Sequence, residues 1–191
     1  MELRPFKYFL TLLILILCLD LKAKEIWILD EKLSTVNFEV PVFLAKNVKG
    51  YFNEIKGFVE IDTSDKINNK AIFSVKTDSL EINYEKYKTL LLSDTFLEVT
   101  NFPTALVDTK KFIYKNDNEL KLNVELSIKN INKIVPLEIE IIKLAKELVQ
   151  VKGSFFFLRK DFNIGVGKWS NNTILKDKVL VKINLFLFKK N

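Results

Sequence analysis

The chain has 191 residues and a formal net charge of +6, a length that fits one domain. It contains no histidine and one cysteine, Cys18, which excludes histidine-based catalytic triads and histidine-containing zinc sites. The basic residues are dispersed, so nucleic acid is not predicted as a partner, whereas a transient attraction to an anionic membrane surface is compatible with this charge.

The N-terminal segment has the layout of a secretory signal peptide. Two basic residues precede an apolar run from Tyr8 to Leu19, and the small residue Ala23 follows. We therefore predict that residues 1–23 are cleaved, which leaves a cysteine-free domain of residues 24–191 in the periplasm. An uncleaved N-terminal anchor is one alternative. Lipidation of Cys18 is another, although the large residue before it disfavours that reading.

From Trp27 onward, apolar residues alternate with polar ones in about eight runs, as expected for strands. Turn-forming residues separate most of the runs, and an irregularity is expected near Asn53. One apolar face per strand predicts an all-β antiparallel fold, a sandwich or a barrel of about eight strands closed around an apolar interior. The runs cover residues 34–42, 48–61, 71–77, 105–109, 120–128, 135–142, 149–157 and 179–187.

A stretch between the third and fourth runs interrupts this alternation. Its apolar residues Tyr84, Tyr87 and Leu91 follow helical spacing, which predicts one principal helix within Asn83–Ser93. The Asn83 side chain is expected to cap its N-terminus. Ser93 or the following aspartate is expected to cap a second short turn that carries Phe96. Such a segment in a barrel is typical of a plug or lid, or of a helix that only packs on the sheet.

The alternation also predicts which side chains face the interior. A barrel of about eight strands is just wide enough to be filled by side chains or to hold one small ligand, and both options stay open at this point. The candidate cavity-lining residues are Phe38, Phe52, Phe73, Val75, Leu91, Phe96, Val107, Leu126, Phe155, Phe157, Phe162 and Trp169.

No motif marks an enzyme or a metal site. The segment from Gly165 to Ser170 has the glycine and lysine of a phosphate-binding loop, but Phe162 stands where that loop needs its first glycine, and Trp169 replaces the serine or threonine. The acidic residues are scattered along the strands, so no carboxylate pair is singled out. We therefore predict a non-enzymatic protein without a metal or organic cofactor.

Several blocks, taken in order, resemble the YceI-like family of periplasmic polyisoprenoid-binding or lipid-binding proteins. The most specific is similar to a Leu-x-Ser-x-x-Phe-Phe-Asp-Val-x-x-x-Pro run and spans Leu91 to Pro103. The segment from Arg159 to Gly165 and the opening block from Trp27 to Asp30 are also similar to the family. Departures are Tyr87-Lys88, which replace an Arg-Asp pair, and the leucines at positions 90 and 92.

The resemblance implies an extended lipocalin-like antiparallel barrel around a long apolar ligand, such as a polyprenyl chain or an isoprenoid quinone. It implies a non-enzymatic carrier beyond the inner membrane, and we expect a monomer or homodimer. The alternative is a structural or stress-induced interaction protein, whose barrel is filled by its own side chains and holds no ligand.

Overall fold

The computed structural model describes residues 24–43 and 46–190. The predicted signal peptide lies outside these residues and stays a prediction. The strands are β1 (Glu25–Leu29), β2 (Thr35–Val40), β3 (Val48–Phe52), β4 (Ile55–Ile61), β5 (Lys70–Lys76), β6 (Leu80–Ile82), β7 (Thr104–Asp108), β8 (Glu119–Ile128), β9 (Ile131–Ala145), β10 (Leu148–Leu158) and β11 (Lys178–Lys189). The helix α1 is Lys88–Leu92, and 3₁₀ turns cover Thr77–Ser79, Glu85–Tyr87, Arg159–Phe162 and Gly167–Ser170.

Eight of the strands form a closed antiparallel barrel in the order β1-β4-β5-β7-β8-β9-β10-β11, with β11 paired back to β1. Strand β11 changes its neighbour along its length. Its C-terminal part pairs with β1 through Leu29↔Leu187, whereas its middle pairs with β2 through Val36↔Ile183. Strands β2, β3 and β6 therefore extend the wall beyond the short β1. The predicted all-β, extended antiparallel barrel of about eight strands with one short helix is confirmed.

The barrel has two different ends, which we call the lid end and the far end. Strand β9 runs from the lid end at Ile131 to the far end at Ala145. The lid end contains residues 41–43, 46–48, 83–103 and 159–177, and the far end contains residues 24–25, 62–69, 109–118 and 146–147. Helix α1 thus lies at one end of the barrel only.

Two glycines allow large aromatic rings to face inward. Gly57 is paired with Phe73 across β4 and β5, and a Cβ at this glycine would collide with the Phe73 ring. Gly50 is paired with Phe38 across β3 and β2, where a Cβ would lie 2.6 Å from the ring. Because each glycine leaves the space that the opposite ring occupies, the phenylalanines can lie flat along the wall.

Local details of the predicted elements differ from the structure. The irregularity expected near Asn53 is a break of two residues, Asn53 and Glu54, between β3 and β4. The two strands run in the same direction but have different partners, β2 and β6 for β3 and β1 and β5 for β4. Asn83 does not cap the helix, because its side-chain oxygen accepts a hydrogen bond from the Lys49 amide at 3.0 Å.

Ser93 does not cap a second turn either. Its hydroxyl donates to the Leu90 carbonyl at 2.7 Å, and its extended backbone ends α1. The following residues form turns in which Glu98 has a φ of 51°. The expected short turn carrying Phe96 is present, since the Phe96 amide donates to the Ser93 carbonyl at 2.9 Å, but the Ser93 side chain does not cap it.

Candidate functional site

The barrel encloses a cavity of about 1270 Å³. Its wall includes side chains of all eight barrel strands, of the extending strands β2, β3 and β6, and of α1. Pockets for small molecules usually measure about 300–1,000 Å³. The space along the barrel axis is therefore larger than a typical small-molecule site and follows the strands from the far end to the lid end.

Eleven of the twelve candidate lining residues border this cavity. Those on strands are Phe38, Phe52, Phe73, Val75, Val107, Leu126, Phe155 and Phe157, and the lid end contributes Leu91, Phe96 and Trp169. The cross-strand pairs Phe73↔Val107 and Val107↔Leu126 place consecutive members of this set side by side on the inner face.

Phe162 is the exception. It is 1% exposed and packs in the core cluster, edge-on against Phe157 with ring centroids 5.3 Å apart. Phe162 ends the 3₁₀ turn Arg159–Phe162 and packs in this cluster without bordering the cavity, so it lies behind the cavity wall.

The exposure of the wall residues shows that the interior is hollow. Phe38, Phe73 and Phe157 point inward, yet each stays only half-buried. A side chain in a filled core has neighbours on every side and loses nearly all its accessible surface. Val124 and Phe155, in the packed layer near the lid end, do show that behaviour. The barrel thus combines packed layers in its wall with an apolar space along its axis.

The turns that follow α1 contact the segment 159–177, and these contacts hold the lid end together. The Thr95 carbonyl accepts hydrogen bonds from the Gly165 amide at 2.8 Å and from the Val166 amide at 3.1 Å. Phe96 is buried and lies edge-on to Trp169, with ring centroids 5.8 Å apart. These contacts fix two separate chain segments into one cover over the cavity.

A buried arginine, which the sequence analysis did not include among the site residues, anchors this cover. Arg159 is 1% exposed and lines the cavity. Its guanidinium donates five hydrogen bonds of 2.8–3.1 Å to backbone carbonyls, those of Ile164, Gly165, Trp169, Leu175 and Lys176. Burial lowers the pKa of Arg159, and the nearby Asp177 acts in the opposite direction.

Gly165 is required beside this arginine. It has a φ of +72°, and a Cβ there would lie 2.6 Å from the Arg159 Nη1. Since all five guanidinium N–H groups are already used by carbonyls, Arg159 has no donor left for a ligand. Its role is to position the lid segment around Trp169.

The rim at the far end is polar. The residues that border the cavity there include Glu25, Asp62, Lys66, Lys143, Lys146 and Lys189. Lys189 and Glu25 form an ion pair of 2.7 Å. Hydrogen bonds from the Ser64 hydroxyl and from the Ser64 and Asp65 amides lower the pKa of Asp62 to about 2. Glu25 and Asp62 therefore have partners within the rim.

Chemically, the site is an apolar cavity. Among residues 24–43 and 46–190, no group of His, Cys, Asp and Glu residues is arranged to hold a metal ion. Every buried side-chain nitrogen or oxygen in the described chain has a hydrogen-bond partner. None of the described helices has the length and apolar character needed to cross a membrane.

The sequence analysis did not name some lining residues that strand parity also places on the inner face. Trp27, Val36 and Ile183 border the cavity, and they have the same strand parity as the predicted residues. Tyr84 and Tyr87 also border it, from the 3₁₀ turn before α1. Their helical spacing was the available signal, but spacing alone does not tell whether the shared face meets a cavity or a sheet.

Comparison with known proteins agrees with this geometry. The model of the YceI-like domain matches residues 27–187. A UPF0312 protein of Shewanella denitrificans is 25% identical over 136 residues, which cover 69% of this chain and 71% of that protein.

Two solved structures have a similar fold. Burkholderia cenocepacia BcnA superposes with a TM-score of 0.75 at 18% identity, covering 83% of this chain and 98% of that one. A domain of Saccharophagus degradans, described as polyisoprenoid-binding and implicated in plant cell wall breakdown, gives a TM-score of 0.71 at 14% identity and covers 86% of this chain and 98% of that one.

Proposed function

Because the chain belongs to the YceI-like family, we propose that it binds a long apolar lipid of the isoprenoid type inside its barrel. It holds this lipid as a non-enzymatic carrier in the periplasm. The polyprenyl chain of a polyprenyl lipid and the tail of an isoprenoid quinone offer the same surface to the cavity, so both belong to the proposed ligand class. The periplasmic setting follows from the predicted signal peptide in residues 1–23.

The observation that carries this proposal is the hollow apolar interior. Half-buried phenylalanines such as Phe38 and Phe73 line a cavity of about 1270 Å³. Burying about 400 Å² of prenyl surface there is worth on the order of 10 kcal/mol at ~25 cal/mol/Å². Ordering a flexible tail and losing its translational freedom offsets part of this gain. Such binding needs no metal, nucleophile or proton relay.

The solved domain of Saccharophagus degradans supports the same ligand class, since it is described as polyisoprenoid-binding and its fold superposes on this one. The alternative of a filled structural barrel is not favoured by any observation at the cavity wall. In a filled barrel Phe157, for example, would be expected to lose its remaining exposure.

Native mass spectrometry of protein purified without detergent tests the proposal. We expect a bound mass that is released on unfolding and that fragments in steps of one isoprene unit. The same spectrum reports whether the protein is a monomer or homodimer. Protein that carries no lipid, and that takes up neither a polyprenol nor a ubiquinone from detergent-free suspension, would contradict the proposal.

A further inference from the structure

The lid end is surrounded by exposed apolar and aromatic side chains with lysines beside them. Phe43 and Ile174 are 52% and 53% exposed, and the Phe43 amide donates to the Ile174 carbonyl at 2.9 Å. Tyr87 is 40% exposed. Ile174 and Tyr87 also border the cavity, so this surface is continuous with the cavity wall at the lid end.

Three lysines at this end lie over aromatic rings. Lys176 is 5.5 Å from the centre of the Phe43 ring, and Lys168 is 5.7 Å from that of Trp169. Lys86 is 4.9 Å from the Tyr87 ring. In each pair, a cation lies beside an amphipathic or apolar ring at the edge of the opening.

Contacts between the loops make these residues one surface. The Lys49 amide hydrogen bond to Asn83 joins the β2–β3 side to the segment before α1. The Val42↔Leu175 bridge joins it to the lid segment, where Arg159 holds the Trp169 and Leu175 carbonyls. We call this surface, formed by Phe43, Lys46, Lys86, Tyr87, Lys168, Trp169, Ile174 and Lys176, the lid-end ring.

Charged residues lie at both ends of the barrel. The lid-end ring contains four lysines, and two acidic residues adjoin it in sequence. Glu85 lies 3.8 Å from Lys88, and the Asp177 carboxylate accepts a hydrogen bond from the Lys160 amide at 3.1 Å. At the far end, lysines alternate with acidic residues, and Lys189 and Lys24 are paired with Glu25 and Glu60. Four lysines and the exposed aromatic side chains of Phe43 and Tyr87 therefore coincide in the lid-end ring.

We propose that the lid-end ring docks on the surface of an anionic lipid bilayer, so that the cavity opens toward the membrane. Aromatic residues prefer the membrane–water interface. Lysines near an anionic surface contribute favourably, and their methylene stems can lie along the apolar surface. This inference rests on the proposed function, since a bilayer is the natural source and destination of a long apolar lipid.

Vesicle sedimentation with two matched double variants tests the docking surface. Lys168→Gln with Lys176→Gln removes two lysines of the lid-end ring, neither of which borders the cavity. Lys111→Gln with Lys115→Gln removes two exposed far-end lysines. The proteins are expressed from the full sequence, their N-terminal residues are determined, and they are mixed with vesicles of equal parts phosphatidylcholine and phosphatidylglycerol.

The lid-end variant is expected to bind these vesicles about 25-fold more weakly, because one lysine near an anionic surface is worth about fivefold. The far-end variant should bind as the unchanged protein does, because its lysines lie more than a Debye length from the docked surface. Vesicles of phosphatidylcholine alone should bind all three proteins equally weakly. Equal effects of the two double variants would overturn the proposal.

Two further measurements separate this proposal from the others. Native mass spectrometry should find the same lipid content in both double variants. If the protein binds vesicles but never carries lipid, only the carrier function is contradicted. Light scattering identifies a second copy as the occupant of the surface. A dimer that the lid-end substitutions convert to monomers, with vesicle binding unchanged, would overturn the membrane assignment.

Discussion

Phe157 and Phe162 provide a direct test of the hollow interior, because they touch each other but have different surroundings. Their rings meet edge-on at 5.3 Å. Phe157 borders the cavity and is half-buried, whereas Phe162 is fully enclosed. We expect Phe162→Ala to destabilise the lipid-stripped protein much more than Phe157→Ala, although the same atoms are removed.

The magnitudes follow from what each ring leaves behind. Removing Phe162 opens a void in a packed cluster, and such substitutions cost roughly 3–5 kcal/mol. Removing Phe157 only widens a space that already exists. Its loss is then the transfer free energy of the covered half of the ring, about 1–2 kcal/mol. Both variants lose the same ring–ring contact, so the difference between them is about 2 kcal/mol.

Urea unfolding of lipid-stripped protein measures this difference. With a denaturant slope of about 1–3 kcal/mol/M, the two midpoints should differ by roughly 1 M. Phe156→Ala is the matched control, because Phe156 lies on the same strand and faces outward under Lys178. It should cost less than about 1 kcal/mol. Equal and large losses for Phe157→Ala and Phe162→Ala would refute the hollow interior.

Four further changes test other parts of the structure. Phe73→Trp should lower the amount of co-purified lipid while leaving the stability of the lipid-stripped protein about the same. In a filled core the larger ring would instead cost ~1–3 kcal/mol by overpacking, and an unchanged lipid content would argue against a ligand at this wall. Arg159→Met should cost at least about 3 kcal/mol, because five carbonyls at buried or partly buried sites lose their donor. It should also speed hydrogen exchange at the Gly165 amide, and unaltered exchange would oppose its anchoring role. Asp62 has a folded pKa of about 2, below its ordinary value of 3.8, so its carboxylate stabilises the fold above pH 3.8, and this stability is lost as the pH falls through 2. Asp62→Asn should therefore weaken the pH dependence of the unfolding midpoint between these values, and an unchanged pH dependence would count against the assignment. Mass spectrometry of the exported protein should find a first residue near Lys24, and retention of the intact N-terminus would rule out cleavage.

The inner face of the barrel could be predicted from the sequence because alternation fixes which side chains share a face. Runs such as β10 keep one parity over many residues, and the paired strands preserve it, so Phe155 and Phe157 fall on the same face as Val179 and Val181. Strand β6 was missed because three residues are too few to show a period. The change of inward parity between Phe52 and Ile55 indicated the irregularity near Asn53, but parity does not tell that β3 and β4 have different partners.

Arg159 and Phe162 show what the sequence could not indicate. The five carbonyls around Arg159 come from residues 164–176, whose backbone path has no hydrophobic period. Carbonyl groups are present at every position, so no residue type marks such a cage in advance. Phe162 is as apolar as the lining residues, but it ends a 3₁₀ turn, where strand parity does not predict which way a side chain points.

The seam of the barrel determines when the protein can finish folding. Strand β1 pairs with β11, and Trp27 lies opposite Lys189, so nearly the whole polypeptide separates the two sides of the closing contact. Strand β11 must leave the ribosome before the ring can form. Until then, the edges of β1, β2 and β10 stay unpaired and can pair with other chains. With so many distant contacts, slow folding is expected even after β11 has been synthesised. A partner that shields β10 during this interval would raise the yield of closed barrels.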